Sequence, residues 1–102
     1  MFAALCDDDK HITEEVKKLL LEYAKDNRVT IDIDEFENGE ELLNSEKSYD
    51  IIVLDYQLGS TDGLTVAKKL RKRNVLSCII FLTSYPQFMI DAFEVNTFRF
   101  LL

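Results

Sequence analysis

The sequence contains few of the residues that make tight turns or metal cages. Its 102 residues include three glycines, one proline, one histidine and no tryptophan. So few turn-forming residues disfavour an all-β fold and favour long, regular helices and strands. The lone histidine, His11, also excludes a zinc site built from several histidines.

Positive charge is also scarce. Twelve lysines and arginines stand against nineteen aspartates and glutamates, which gives a formal net charge of −7. Because such a chain repels the phosphates of DNA and RNA, we expect no direct contact with nucleic acid. Five cations cluster in the last turns of a predicted helix, where they complement the helix dipole, and we interpret them as a solvated face. These cations are Lys68, Lys69, Arg71, Lys72 and Arg73.

Cysteines and long apolar stretches are rare as well. Cys6 and Cys78 lie in short apolar runs without the spacing of a disulfide framework, which is typical of reduced cysteines in a cytoplasmic protein. No apolar run has the length of a membrane span or the pattern of a signal peptide, so we expect no membrane contact. Apolar residues still make up 47% of the chain, enough for the core of one small domain over its whole length.

The spacing of apolar residues alternates between the periods of strands and helices along the chain. The predicted strands cover residues 2–6, 29–34, 51–54, 78–82 and 97–102. The predicted helices cover 12–23, 40–44, 64–70 and 86–93. Residues 59–61 are predicted to form a loop, and either Thr61 or Asp62 is expected to cap the third helix.

This alternation predicts a parallel sheet with helices on both faces, a three-layer α/β fold. The first, third and fourth strands are continuous apolar runs, as expected of central strands, whereas the second and fifth carry polar residues and suit the edges. The expected strand order is therefore 2-1-3-4-5, which is the flavodoxin-like arrangement. Because crossovers are right-handed, the first helix should lie on one face of the sheet and the other three on the opposite face.

In that arrangement, ligands bind beyond the carboxyl ends of the first and third strands. Asp7 and Asp8 follow the first strand, and Asp55 follows the third. Three carboxylates at one sheet edge repel one another unless a proton or a cation joins them, and Mg²⁺ prefers such oxygen ligands. The alternative is that the run from Asp7 to Asp9 caps the following helix. An ionisable residue at the end of an apolar strand favours a functional site, because such a residue is costly there without a purpose.

These residues resemble a known family, the receiver domain of two-component response regulators, over all 102 positions. The matching segments are ALCDDD, DIIVLDYQL, TDG and IIFLTSYP, together with an aromatic residue, Phe100, on the fifth strand. The segment that resembles receivers followed by a LytTR-type DNA-binding output domain is IIFLTSYPQFMIDAFEVNTFRFLL.

The resemblance implies a signalling role with Mg²⁺ as cofactor. Asp55 would accept a phosphoryl group from a phosphohistidine of a sensor histidine kinase and so control a downstream, transcriptional output. Asp8 would bind Mg²⁺ directly, Asp7 mainly through water, and Gln57 through its backbone carbonyl. Such a domain is regulatory and not an enzyme, apart from weak self-phosphorylation from small phosphodonors and self-dephosphorylation.

The same resemblance implies a phosphoryl-binding and switching group. The hydroxyl of Thr83 would donate a hydrogen bond to the phosphoryl oxygen, supported by the backbone amides of Tyr56 and Ser84. Because Phe100 has no hydroxyl, it could take part in a switch with Thr83 only through packing.

Receivers also carry a lysine beyond the fifth strand and then a fifth helix, neither of which precedes Leu102. We therefore expect residues 1–102 to be a receiver domain truncated at its C-terminus, without an output domain. With the fifth helix missing, one sheet face should be partly bare and should seek a partner. The expected result is a homo-oligomer formed through that face or through the fourth helix and fifth strand.

Three other functions were weighed. A hydrolase of the haloacid dehalogenase type needs a second aspartate where Gln57 stands. A flavin or nucleotide module needs backbone amides to hold phosphate after the first strand, where the aspartates would repel it. The third alternative stays open: a receiver-like module that takes no phosphoryl group and acts through protein contacts.

Overall fold

The structure is a computed structural model that describes residues 1–55, 57–58, 61–73, 75–82 and 99–101. Its main strands are β1 (Phe2–Cys6), β2 (Asp32–Phe36), β3 (Ile51–Asp55), β4 (Cys78–Leu82) and β5 (Arg99–Leu101). Its helices are α1 (Lys10–Asp26), α2 (Gly39–Asn44) and α3 (Gly63–Lys72). None of the described helices is both long enough and apolar enough to cross a membrane.

The five main strands form one parallel sheet in the order β2-β1-β3-β4-β5. The predicted flavodoxin-like order is therefore confirmed, with the two polar strands at the edges. In the central register, Cys6 of β1 pairs with Leu54 of β3, and Asp55 pairs with Leu82 of β4. This register aligns the carboxyl ends of the three inner strands.

One face of the sheet carries the main core. Side chains of β1, β3 and β4 pack there against α2 and α3 in a single buried cluster. The sheet contributes residues such as Leu54 and Phe81, and the helices contribute Leu42, Val66 and Leu70. No α1 residue belongs to this cluster, in agreement with the crossover rule, which puts α2 and α3 on the face opposite α1.

The face on the side of α1 is less well covered. Along β4, Ile79 and Phe81 are fully buried on the core side, whereas the alternate residues Cys78, Ile80 and Leu82 are only half-buried. On α1 itself, two large apolar side chains remain exposed: Leu19 at 63% and Tyr23 at 53%. On this side of the sheet the residues of β1 and β3 are still covered, with Leu5 and Val53 buried, so the incomplete covering is confined to β4 among the described residues.

The start of β2 was predicted wrongly. The alternation of apolar residues predicted a strand from Val29, but β2 begins at Asp32. Helix α1 runs to Asp26 and closes with an extra turn, in which the amide of Val29 donates to the carbonyl of Ala24 over 2.9 Å. Arg28 lies in this turn at a φ of 55°, the left-handed conformation that commonly ends helices. The helix end therefore takes up residues that the pattern assigned to the strand.

The segment after β3 also differs from the expected loop. Gln57–Leu58 and Thr61–Asp62 form a short antiparallel pair, so Thr61 belongs to a strand and Asp62 alone caps α3, accepting from the amide of Thr65. The predicted helix over 86–93 lies outside the described residues. Within the last predicted strand, 97–102, the described residues form β5.

Candidate functional site

The topology brings three aspartates together at one sheet edge. Because Cys6 and Leu54 are paired, the residues that follow or end these strands, Asp7 and Asp55, are neighbours. The amide of Asp7 donates to the carbonyl of Phe36 over 3.1 Å, which continues the pairing with β2 and fixes the chain there. One carboxylate oxygen from each of Asp7, Asp8 and Asp55 lies within 4.8 Å of the others.

The three carboxyls differ in exposure. Asp7 is buried, with 7% of its surface accessible, Asp55 is half-buried and Asp8 is exposed. Burial is the main reason that the pKa of Asp7 rises to about 6, and the charge of Asp55, its hydrogen bond to Asp7 and the charge of Asp8 add to it. The buried edge therefore favours either a proton shared between two carboxyls or a bound cation.

The third aspartate of the run has a separate task. The side chain of Asp9 accepts hydrogen bonds from the amides of His11 and Ile12, at 2.9 and 3.4 Å, and so caps α1. Its own amide donates to Oδ1 of Asp7 over 2.8 Å. The helix-cap interpretation therefore holds for Asp9, and the functional-site interpretation holds for Asp7 and Asp8, which lie beside Asp55.

The thiol of Cys6, beside the cluster, is unreactive. Burial and the surrounding negative charges, beginning with that of Asp7, raise the pKa of Cys6 to about 12. A thiol with this pKa holds its proton at neutral pH and is a poor nucleophile or metal ligand. Cys6 and Cys78 are both free, as expected. The reactive groups of the edge are therefore its carboxylates.

The donor set fits a small, hard cation. It consists of carboxylate oxygens only, on three side chains that are close together and partly shielded from water. Burial first, and then the charge of Asp55, already raise the pKa of Asp7. A divalent ion would remove the repulsion between them, since it would neutralise the ionised carboxylates.

Several predicted site residues lie partly or wholly outside the described part of the chain. Tyr56, Thr83 and Ser84 lie outside it altogether. Gln57 is described as part of the short antiparallel pair, and Phe100 as part of β5, opposite Phe81. Thr83 is the next residue in the sequence after Leu82, the residue of β4 that pairs with Asp55.

The predicted solvated basic face needs a correction at one position, Arg71. Lys68, Lys69 and Lys72 are exposed, as expected. Arg71, however, is half-buried and donates to the carbonyls of Val75 and Ser77 at 2.6 and 2.9 Å. Arg73 donates to the carbonyl of Leu43 over 2.6 Å. Both arginines connect α3 to neighbouring segments, but Arg73 stays exposed.

A cavity of about 650 Å³ opens at the opposite end of the sheet, between the segments that precede β3 and β4. Two of its hydroxyls are bonded within the protein: Tyr49 donates to Oδ2 of Asp34 over 2.7 Å, and Ser77 donates to the carbonyl of Tyr49. No buried side-chain polar atom in the described residues lacks a partner. The chemistry of the described part of the chain is therefore concentrated at the aspartate edge.

This fold and this acidic edge define a class of signalling domain, and comparison with known proteins gives the family. Residues 3–102 match the family described as the response regulator receiver domain. The sensory transduction protein LytT of Bacillus cereus is 34% identical over 103 residues, which cover 100% of this chain and 41% of that protein. The transcriptional regulatory protein LytR of Staphylococcus aureus is 33% identical over 104 residues, covering 100% and 41%.

Solved structures agree with these relatives. The response regulator TrrA of Thermotoga maritima, solved in complex with Mg²⁺-BeF, superimposes with a TM-score of 0.83 at 30% identity, covering 99% of this chain and 84% of that one. A two-component response regulator of Clostridium difficile superimposes with a TM-score of 0.81 at 27% identity, covering 100% and 82%.

The chain belongs to the response regulator receiver domain family. Members of this family are regulatory domains of two-component systems. They interact with sensor histidine kinases and generally bind Mg²⁺ at an acidic cluster. The chain spans 41% of the length of the LytT and LytR relatives named above.

Proposed function

We propose that this domain accepts a phosphoryl group on Asp55 from a phosphohistidine of a sensor histidine kinase, with Mg²⁺ bound beside it. The observation that supports this most is the cluster of Asp7, Asp8 and Asp55 within 4.8 Å. Asp7 and Asp8 lie on one chain segment and would hold the metal. Asp55 ends the neighbouring strand β3 and would attack phosphorus through a carboxylate oxygen.

The proposed step is a simple displacement at phosphorus. A carboxylate oxygen of Asp55 forms a bond to phosphorus while the phosphorus–nitrogen bond of the phosphohistidine breaks. The electron pair of that bond returns to the imidazole of the kinase, and Asp55 becomes an acyl phosphate. Such transfers depend mainly on alignment and on neutralising the charge of the phosphoryl oxygens.

The residues that would hold Mg²⁺ are Asp8 and Asp55 directly, the backbone carbonyl of Gln57, and Asp7 mainly through water. When bound, the ion supplies positive charge to the phosphoryl oxygens. The donor set supports this, because the carboxylates of Asp7 and Asp55 repel each other at the buried edge and a cation relieves that repulsion. TrrA, solved with Mg²⁺-BeF and 30% identical, adds support by analogy.

We further propose that Thr83 donates a hydrogen bond to the phosphoryl oxygen and that the amides of Tyr56 and Ser84 assist it. Thr83 follows Leu82, whose pairing with Asp55 supports its nearness to the acceptor. Phe100, in the neighbouring strand β5, would respond to Thr83 through packing. The names of the LytT and LytR relatives support a transcriptional output, and exchange with a histidine kinase supports a cytoplasmic location.

The direct test is incubation with acetyl phosphate and Mg²⁺, followed by mass spectrometry of the intact protein. One phosphoryl group is expected on the wild type and none on Asp55→Asn. The bond should be cleaved by mild base, since an acyl phosphate is labile there. Labelling of Asp55→Asn, or a base-stable adduct on Thr83 or Ser84, would contradict the assignment.

The second candidate is an interaction module that takes no phosphoryl group. The complete acidic set speaks against it, because such a module has no need of three carboxylates within 4.8 Å. An unlabelled wild type that nevertheless binds Mg²⁺ and its kinase would favour this alternative.

We also propose that the chain self-associates through the less covered sheet face. The half-buried Ile80 and Leu82 give this face an apolar character, and the exposed Leu19 adds apolar surface on α1, the helix of the same side. Light scattering should detect an oligomer, and Leu19→Glu should weaken it. The matched control is Leu76→Glu, in the segment before β4, where the side chain is 88% exposed. A monomer at high concentration that binds no hydrophobic dye would refute the proposal.

A further inference from the structure

Asp9 links the start of α1 to the aspartate edge, because its side chain bonds to the helix and its backbone amide bonds to Asp7. Its side chain is held by the helix, since Oδ1 accepts from the amides of His11 and Ile12. Its backbone carbonyl accepts from the amide of Thr13 at 3.1 Å and from the Thr13 hydroxyl at 3.2 Å. Its backbone amide points the other way and donates to Oδ1 of Asp7 over 2.8 Å.

We infer that Asp9 is a positioning residue for the metal site: by capping α1, it holds its own amide where that amide orients the carboxylate of Asp7. This inference rests on the proposed function of the edge as an Mg²⁺ site. Asp9 is not one of the three carboxylates that lie together at the edge, and its Oδ1 accepts from two helix amides.

The physical reason is the choice of partners open to Asp7. Its carboxyl lies beside Asp55 on one side, and on the other its Oδ1 accepts the amide of Asp9 over 2.8 Å. Loss of this bond would free the carboxyl to turn towards Asp55. Carboxylates that bind metals are commonly held in this way by a hydrogen bond from outside the ligand set.

Asp8 depends on the same arrangement. It is the single residue between Asp7, whose amide is bonded to Phe36, and Asp9, whose carbonyl and side chain are bonded to α1. With both neighbours fixed, the backbone of Asp8 has little freedom, so its exposed carboxylate stays beside the cluster. If the hydrogen bonds between Asp9 and the helix are lost, the position of Asp8 becomes less defined.

Charge and capping make different predictions for Asp9. If Asp9 acts only through its negative charge, any neutral residue should weaken Mg²⁺ binding equally. If it acts as a cap, asparagine should replace it well, because asparagine has an oxygen in the same place and is an equally good cap. Alanine should fail, because it has no side-chain acceptor.

The experiment is an NMR titration with MgCl₂ alone on wild type, Asp9→Asn and Asp9→Ala, below the unfolding range of each. The matched control is Asn38→Ala, which removes the cap of α2, where the Asn38 side chain accepts from the amide of Glu41 over 2.9 Å. Asp9→Ala should weaken Mg²⁺ binding about tenfold, as is typical when a ligand's support is lost. Asp9→Asn and Asn38→Ala should stay within about threefold of wild type, well short of that loss.

A second NMR measurement is made without metal. The amide proton of residue 9 should be shifted and protected from exchange in wild type and in Asp9→Asn, and should lose both features in Asp9→Ala. Equal Mg²⁺ affinities for wild type and Asp9→Ala, or equal losses in Asp9→Asn and Asp9→Ala, would overturn the inference. A wild type that binds no Mg²⁺ would overturn the metal site itself, while the metal-free reading would still test whether the cap orients Asp7.

Discussion

Replacing Asp7 by asparagine should make the metal-free domain more stable at pH 8, although it removes a residue of the site. Burial and neighbouring charge raise the pKa of Asp7 from 3.8 to about 6. Each pKa unit corresponds to about 1.4 kcal/mol, so the ionised Asp7 lowers the stability of the folded state by about 3 kcal/mol at most. Asparagine is nearly the same shape and can still accept the amide of Asp9.

The sign of the effect follows from the direction of the pKa shift. Because the pKa of Asp7 is higher in the folded than in the unfolded chain, its contribution to stability is fully present below pH 3.8 and is lost as the pH rises through about 6. The advantage of Asp7→Asn should therefore be small at pH 4 and should grow to its full size above pH 7. Other carboxyls titrate in both proteins, so the difference between the two isolates Asp7.

The assay is thermal unfolding by circular dichroism from pH 4 to pH 8, with a chelator present. A gain of about 1–3 kcal/mol corresponds to a rise in Tm of roughly 4 °C or more for a domain of this size. Mg²⁺ should narrow the difference, because the wild type keeps the third carboxylate and should bind the ion more tightly. An Asp7→Asn protein that is less stable than wild type at pH 8 without metal, or a difference that does not change with pH, would refute the reasoning.

Three further predictions concern the site and the scaffold. Mg²⁺ at ten times its dissociation constant should add about 1.4 kcal/mol and raise the wild-type Tm by roughly 5–10 °C. Asp8→Asn should lose most of this shift, and a wild-type Tm indifferent to roughly 10–20 mM Mg²⁺ would contradict the site. Arg28→Gly should raise the free energy of unfolding by up to about 1 kcal/mol in urea, because Arg28 has a φ of 55°; a loss of stability would count against this. Tyr49→Phe should lower the free energy of unfolding by about 1 kcal/mol, because it removes the 2.7 Å bond to Asp34; an unchanged urea midpoint would show that water replaces the bond.

Much of the fold could be predicted because its signals are local. The strand order followed from which strands are continuously apolar, and the position of the aspartates followed from that order. The cap of α3, Asp62, is one of the two candidates that the sequence offers directly before that helix. These features depend on a few neighbouring residues and on general rules of chain handedness.

The features that were missed depend on the tertiary structure or lack their usual signal. Helix α1 ends at a left-handed residue that is usually glycine, but here it is Arg28, so the pattern gave no warning. Arg71 looked like one cation of a solvated run, yet its carbonyl partners, Val75 and Ser77, come from the segment that returns to the sheet. Such bonds depend on where the chain turns back, which apolar spacing does not reveal.

The three consecutive aspartates show most clearly what a sequence pattern leaves open. Asp7, Asp8 and Asp9 are chemically identical, yet they are buried, exposed and bonded to a helix, respectively. Their differences come from two fixed neighbours: Asp7 is bonded to β2, and Asp9 caps α1. Only Asp8 lies between them. The spacing is therefore as important as the composition. Deleting any one of the three would leave either the cap or the cluster one carboxylate short, and the two arrangements depend on each other.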